Sequence, residues 1–357
     1  MADPRIDKLS TLLVSYSTKV QQGDQVWIRC VGVAALPYAR SVFKKVLEVG
    51  GHPYLDIADE SLSPFFFSTA SHAHLEKDPT IDLFLAQWAD CIITLVGEEN
   101  TRALVAADPK KILQMQKIKQ PVKKVILSKR WVLTWVPTPA LAQESGMSTD
   151  DFEEFYFSAC LRDWAKESKR IVMLAKRLSH AKKIEVLGKD THLTLSATDR
   201  TFIPDMGDCN MPAGEVFTSP VETSVNGVIT FDFPLFRFGK EMTDIRLEFT
   251  DGLITKATAS KHEDTLLAIL STDDGAKRLG EFAIGMNPGI TRYCNNTLFD
   301  EKIEGTIHCA IGDSFTEAGG KNHSGVHMDI VKDMRHSGSK VLADGVTILE
   351  DGVLNSA

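Results

Sequence analysis

Along the first part of the chain, apolar positions switch between two spacings. From Arg5 to Val20 they recur three and four apart, at Ile6, Leu9, Leu12, Leu13, Tyr16 and Val20, which predicts an amphipathic helix. Gln21-Gln22-Gly23-Asp24 predicts a turn, and the run Gln25 to Val31 a short strand. Helical spacing returns from Leu36 to Val49 and stops at Gly50-Gly51, and His52 to Ile57 is the next strand. A strand–helix–strand order favours parallel strands joined by a right-handed crossover. The pattern continues with a strand at Cys91 to Val96, a helix at Asn100 to Ala107 and a strand at Lys124 to Leu127. An α/β N-terminal domain with an open, doubly wound and mostly parallel sheet is expected. It has no GxGxxG stretch, so a dinucleotide is not indicated.

Thr149 to His180 predicts one long helix, with Ser148 and Asp150 available as N-caps and Phe152, Phe155, Phe157, Leu161, Trp164 and Ile171 as its apolar positions. After Lys182 the pattern changes. Ile184 to Leu187, Leu193 to Leu195, Gly227 to Phe233, Asp244 to Phe249 and Leu253 to Thr258 predict strands, with a hairpin turn at Thr250-Asp251-Gly252. The clearest helix of this half is Glu263 to Leu270. Two domains follow: residues 1–182, α/β with a helical connecting segment, and residues 183–357, a β-rich α+β domain. The length of 357 residues agrees, because single cores stop growing at about 250–300 residues.

Composition narrows the classes. A charged fraction of 25% and an apolar fraction of 43% exclude a disordered or fibrous chain. The net charge of -8 gives no reason to expect a nucleic-acid partner. The basic stretch from Lys110 to Arg130 reads as a solvated helix face and the strand after it. Six scattered cysteines, none in CxxC spacing, read as reduced thiols. The N-terminus lacks a basic region followed by an apolar core, and no apolar run approaches the roughly 20 residues of a membrane helix. A soluble, cytoplasmic protein without a membrane partner is expected.

Metal-ligand residue types concentrate in the second half. Glu215 follows Pro212-Ala213-Gly214 at the mouth of an apolar pair. Glu281 heads the run Phe282-Ala283-Ile284, where a carboxylate is costly to bury unless paired or metal-bound. His308 interrupts the apolar stretch Thr306 to Ile311. His327 and Asp329, two apart, share one side of a strand and can reach one ion. A single catalytic zinc takes three protein ligands and a water, so five candidates exceed one site. They suit two divalent ions bridged by a shared carboxylate. An oxygen and nitrogen donor set fits zinc, cobalt or manganese alike.

The same stretches resemble the thermophilic-type metallo-aminopeptidases, the aminopeptidase T and aminopeptidase S group. The resemblance runs from about Trp135 to the C-terminus. It rests on Pro137 to Ala142 with Gly146-Met147-Ser148, Asn210-Met211-Pro212 with Gly214 to Thr218, and Leu279-Gly280-Glu281. It continues through Thr297 to Lys302, His308 to Gly312 and His327-Met328-Asp329. It implies that Glu215, Glu281, His308, His327 and Asp329 are metal ligands, and that the protein removes N-terminal residues from peptides with a free N-terminus. It also implies a homodimer. Glu281 is either the bridging ligand or the general base, since both roles need a carboxylate beside the water.

One position departs from the pattern. The family places a tyrosine seven residues after the histidine of the HxAxG segment, and here Phe315 stands there. A phenol donates a hydrogen bond to a developing oxyanion, and phenylalanine does not. His323, close in sequence to His327, is the candidate replacement donor, with Tyr293 behind it. Two other readings stay open: a two-metal hydrolase of a non-peptide amide or ester, and a non-catalytic binding protein stabilised by metal.

Overall fold

The apolar run Gln25–Val31 (β1) sits inside a five-stranded parallel sheet in the computed structural model, which describes residues 3–237 and 240–355. β1 pairs with His52–Ala58 (β2) on one side and Cys91–Val96 (β3) on the other. Arg130–Trp135 (β4) follows β3, and the short strand Asn210–Met211 closes the row. Trp27, Ala86, Ala89, Ile92 and Val122 form a buried cluster beside this sheet.

Local chemistry explains the departures from the expected elements. The helix expected over Arg5 to Val20 is α-helical over Pro4–Thr11 and π-helical over Leu12–Ser17. Residues 101–106 are successive turns, not a helix. Lys124 to Leu127 belongs to a helix, Gln120–Leu127, started by Pro121 in its first turn; the strand lies three residues further on, in β4. The long helix breaks at Leu161 (ψ 52°) into Thr149–Cys160 and Trp164–Leu178, because Asp163 caps a new start by accepting from the Lys166 amide.

The chain divides into two units. The first runs to Arg162 and includes Gly207–Ala213; the second comprises Asp163–Met206 and everything from Gly214. The change of pattern near 182 marks the first antiparallel strand, Lys183–Gly188, and helix Trp164–Leu178 before it groups with the second unit.

The second unit contains an eight-stranded antiparallel sheet and a separate five-stranded one. In the larger sheet, Arg246–Thr250 and Leu253–Thr258 form a hairpin. Its turn has Asp251 at φ 49° and Gly252 at φ 79°, the paired positive values a tight hairpin demands. The smaller sheet is built from Ile203–Asp205 (β5), Glu215–Thr218 (β6), Leu279–Gly285 (β7), Thr306–Gly312 (β8) and His327–Asp333 (β9). Its order is β9-β8-β7-β6-β5, and every neighbouring pair is antiparallel. All seven positions of both β7 and β8 are buried, so polar side chains on them sit in the interior. All six cysteines are thiols, and among the described residues no helix is long and apolar enough to cross a membrane.

Candidate metal centre

Register decides which side chains meet. Across the smaller sheet Glu215 lies opposite Gly285 and Asp205, Ala283 opposite His308, Ala310 opposite Glu281 and Asp329, and Gly312 opposite His327. Directly paired residues share a face, so Glu215, Glu281, His308, His327 and Asp329 all rise from one side of the sheet. Their neighbours on that side include Ala283, Ala310, Gly285 and Gly312; a Cβ at the two glycines would lie 2.2 Å from the Ile303 carbonyl oxygen and 2.1 Å from that of Val326.

Glu281 is shared by two groups. Its Oε1 lies 3.4 Å from His308 Nε2 and its Oε2 3.3 Å from His327 Nε2. Glu215 Oε2 lies 3.3 Å from His308 Nε2, and Asp329 Oδ1 3.5 Å from His327 Nε2. Donor atoms of Glu215, Glu281 and His308 fall within 4.8 Å of one another, as do those of Glu281, His327 and Asp329, and those of Glu301, His308 and Asp329. His308 Nδ1 donates to the Glu301 carbonyl at 3.0 Å, and His327 Nδ1 to the Asp313 carbonyl at 2.9 Å. Those bonds fix both tautomers and turn each Nε2 toward the carboxylates, the arrangement of metal-ligating imidazoles.

The electrostatics call for cations. Burial pushes Glu215 up to about 8, against the pull of Lys302 and His308. Burial also works to strip the proton from His308, but Glu215 and Glu281 outweigh it and raise the ring to about 10. Despite burial, hydrogen bonds from His308 and His327 hold Glu281 below the usual carboxylate range, and His327 holds Asp329 well below its own. Among the described residues, Glu215 Oε2 and Asp329 Oδ1 are buried and accept no hydrogen bond. Orphaned buried oxygens, carbonyl-anchored imidazoles and excess carboxylate fit divalent ions.

Of the six site residues expected from the sequence, the sheet brings five together. His323 stands apart: its side chain is 78% exposed, with Nδ1 3.8 Å from Asp313 Oδ1. The Tyr293 hydroxyl donates to the Pro234 carbonyl at 2.5 Å and lies 2.8 Å from Asn295 Oδ1, and its ring stacks on Phe233. Phe315 packs beside the cluster, its ring centroid 4.9 Å from Phe217 and 5.2 Å, edge-on, from His327. His327 is 31% exposed and His308 1%, so the cluster opens on the His327 side.

Two residues carry no signal that sequence reasoning took up, although they lie within the motif Thr297 to Lys302. The Glu301 carboxylate joins the cluster, and Lys302 is fully buried against it. Their only mark in the sequence is an acid–base pair between apolar Phe299 and Ile303.

A family model described as thermophilic metalloprotease (M29) matches residues 2–353. The chain therefore belongs to that family, and its class is that of a metal-dependent protease. Aminopeptidase 2 of Geobacillus stearothermophilus is 26% identical over 352 residues, covering 88% of this chain and 84% of that protein. The structure of wild-type AmpT from Thermus thermophilus shares the fold, with a TM-score of 0.86 at 22% identity over 98% of this chain and 99% of that one. So does 2,5-dihydroxypyridine dioxygenase from Pseudomonas putida KT2440, with a TM-score of 0.65 at 15% identity over 99% of this chain and 97% of that one. One fold thus carries different reactions, and the site, not the fold, must decide between them.

Proposed function

We propose that Glu215, Glu281 and His308 hold one divalent ion and Glu281, His327 and Asp329 a second, and that this metal-dependent aminopeptidase removes the first residue of peptides there. The observation that carries the reading is Glu281, whose two oxygens each face a different imidazole. Both oxygens being engaged supports a bridging role over that of a free base. When bound, such ions lower the pKa of a shared water and polarise the scissile carbonyl. The chain's own residues do the rest. The Glu301 and Asp313 carbonyls keep the imidazoles oriented. A substrate's free α-amino group would bind one of the ions or a nearby carboxylate, which favours cutting at a free N-terminus. Phe217 and Phe315 form an apolar wall on the side where His327 is exposed. The exposed position of His323 lends no support to a catalytic role for it.

Oxygen and nitrogen donors support zinc, cobalt or manganese without separating them. Six thiols support a cytoplasmic setting, since reducing compartments keep cysteines unpaired. A homodimer is part of the same proposal, with the exposed Phe65, Ile81 and Phe84 of the first unit as the side chains it would cover.

The test is hydrolysis of aminoacyl-anilides by metal-stripped protein before and after adding zinc, cobalt or manganese. Activity should appear only with metal and vanish when the substrate amine is acetylated. His327→Ala and Asp329→Ala should each lower kcat/KM by about 100-fold or more and reduce bound metal. Full activity in either variant would exclude this site. Turnover of acetylated amides or of esters in preference to free-amine substrates would select the non-peptide hydrolase that Phe315 favours.

A further inference from the structure

Lys302 has no exposed surface, and its ammonium meets three carboxylates. Nζ lies 3.3 Å from Glu215 Oε1, 3.9 Å from Asp205 Oδ2, and in closer contact with Glu301. A buried ammonium is costly unless paired and hydrogen-bonded, so its partners have to be built around it. The Lys302 backbone is tied down on both sides: its amide donates to Phe299 and its carbonyl accepts from Asn287 at 2.9 Å.

Glu215 shows what the ammonium does. One oxygen of that carboxylate faces Lys302, and the other, Oε2, faces His308 and accepts no hydrogen bond among the described residues. Glu215 follows Gly214 at φ 117°, at the first position of β6. The residue before Lys302 supplies the carbonyl that orients His308. One turn, Glu301-Lys302, therefore sets two of the three side chains around a single ion position. His327 takes its orientation from Asp313 instead.

Resting on the two-ion reading above, we propose that Lys302 is a positioning residue for one half of the metal centre: it pins Glu215 so that Oε2 is presented beside His308, and it reaches the half formed by His327 and Asp329 only through longer-range charge. Its charge suits that role. Asp205, Glu215 and Glu301, the three carboxylates its ammonium meets, would otherwise repel one another in the interior.

Cobalt titration of metal-stripped protein, followed by visible absorption and bound-metal analysis, tests this without reference to turnover. In Lys302→Met, one binding constant should weaken by about 10–100-fold and the other stay within about threefold. Loss of both in equal measure, the mark of general structural damage, overturns the proposal. So does tighter binding, the result expected if lost charge repulsion were the whole effect. Should the single variant unfold, the double variant with Glu301→Gln, which removes a carboxylate along with the ammonium, is read in the same way. A wild-type protein that takes up one ion only overturns the two-ion reading and this inference together. A wild type with two ions whose Lys302→Met variant keeps both constants overturns this inference alone.

Discussion

Phe315 stands beside His327 at the open edge of the cluster. Its amide donates to Ser219 Oγ at 3.0 Å, which holds the backbone in place whatever the side chain. Tyr293 has its hydroxyl engaged elsewhere, and His323 points to solvent. Phe315→Tyr adds one oxygen to an otherwise retained ring. A well-placed oxyanion donor contributes about 10²–10³ in kcat. The variant should therefore raise kcat on aminoacyl-anilides by about 10-fold or more with KM little changed. An unchanged or lower kcat would mean that the phenylalanine is not a lost donor but part of the pocket wall.

At the scale of the element, the decisive feature is a bulge in β7. The register with β8 shifts between Leu279 and Glu281, leaving Gly280 as the extra residue. A Cβ there would lie 2.1 Å from the Asp313 carbonyl oxygen and 2.5 Å from that of Gly312. The first of these oxygens is the one that orients His327. Gly280→Ala should cost about 1–3 kcal/mol of stability in a denaturant melt and weaken metal binding as well. Wild-type values for both would show that β8 yields without moving Asp313.

Pattern alone located Gln25–Val31, Cys91–Val96 and Glu263–Leu270, whose apolar runs are bounded by turn or polar residues. Lys124 to Leu127 is helical where the pattern predicts a strand, because a short run such as Val125-Ile126-Leu127 fits either period and Pro121 upstream starts the helix. The i, i+2 spacing of His327 and Asp329 on β9 could be read locally. That Glu215, Glu281 and His308 share their face could not, because pairing register across β6, β7 and β8 is not written in any one segment. Glu301 and Lys302 were hidden for the same reason: a turn carries them to the sheet, and no periodicity marks a turn's destination.

For the whole molecule, the proposed homodimer gives a direct measurement. Phe65 is 70% exposed, Ile81 75% and Phe84 63%, and these are the side chains that the proposed partner subunit would cover. Sedimentation should return a native mass about twice the 39.4 kDa of the chain, and Phe65→Glu with Phe84→Glu should return the chain mass. A monomeric wild type would remove the dimer from the proposal. The path of the chain has an evolutionary consequence of its own. The fifth strand of the parallel sheet comes from Asn210–Met211, only four residues before Glu215. The first unit is therefore not a contiguous stretch of gene: recombination that exchanged it in one piece at residue 162 would leave its last strand behind in the other parent. Lineages of this fold should diversify by substitution within each half, with intact halves rarely traded between them.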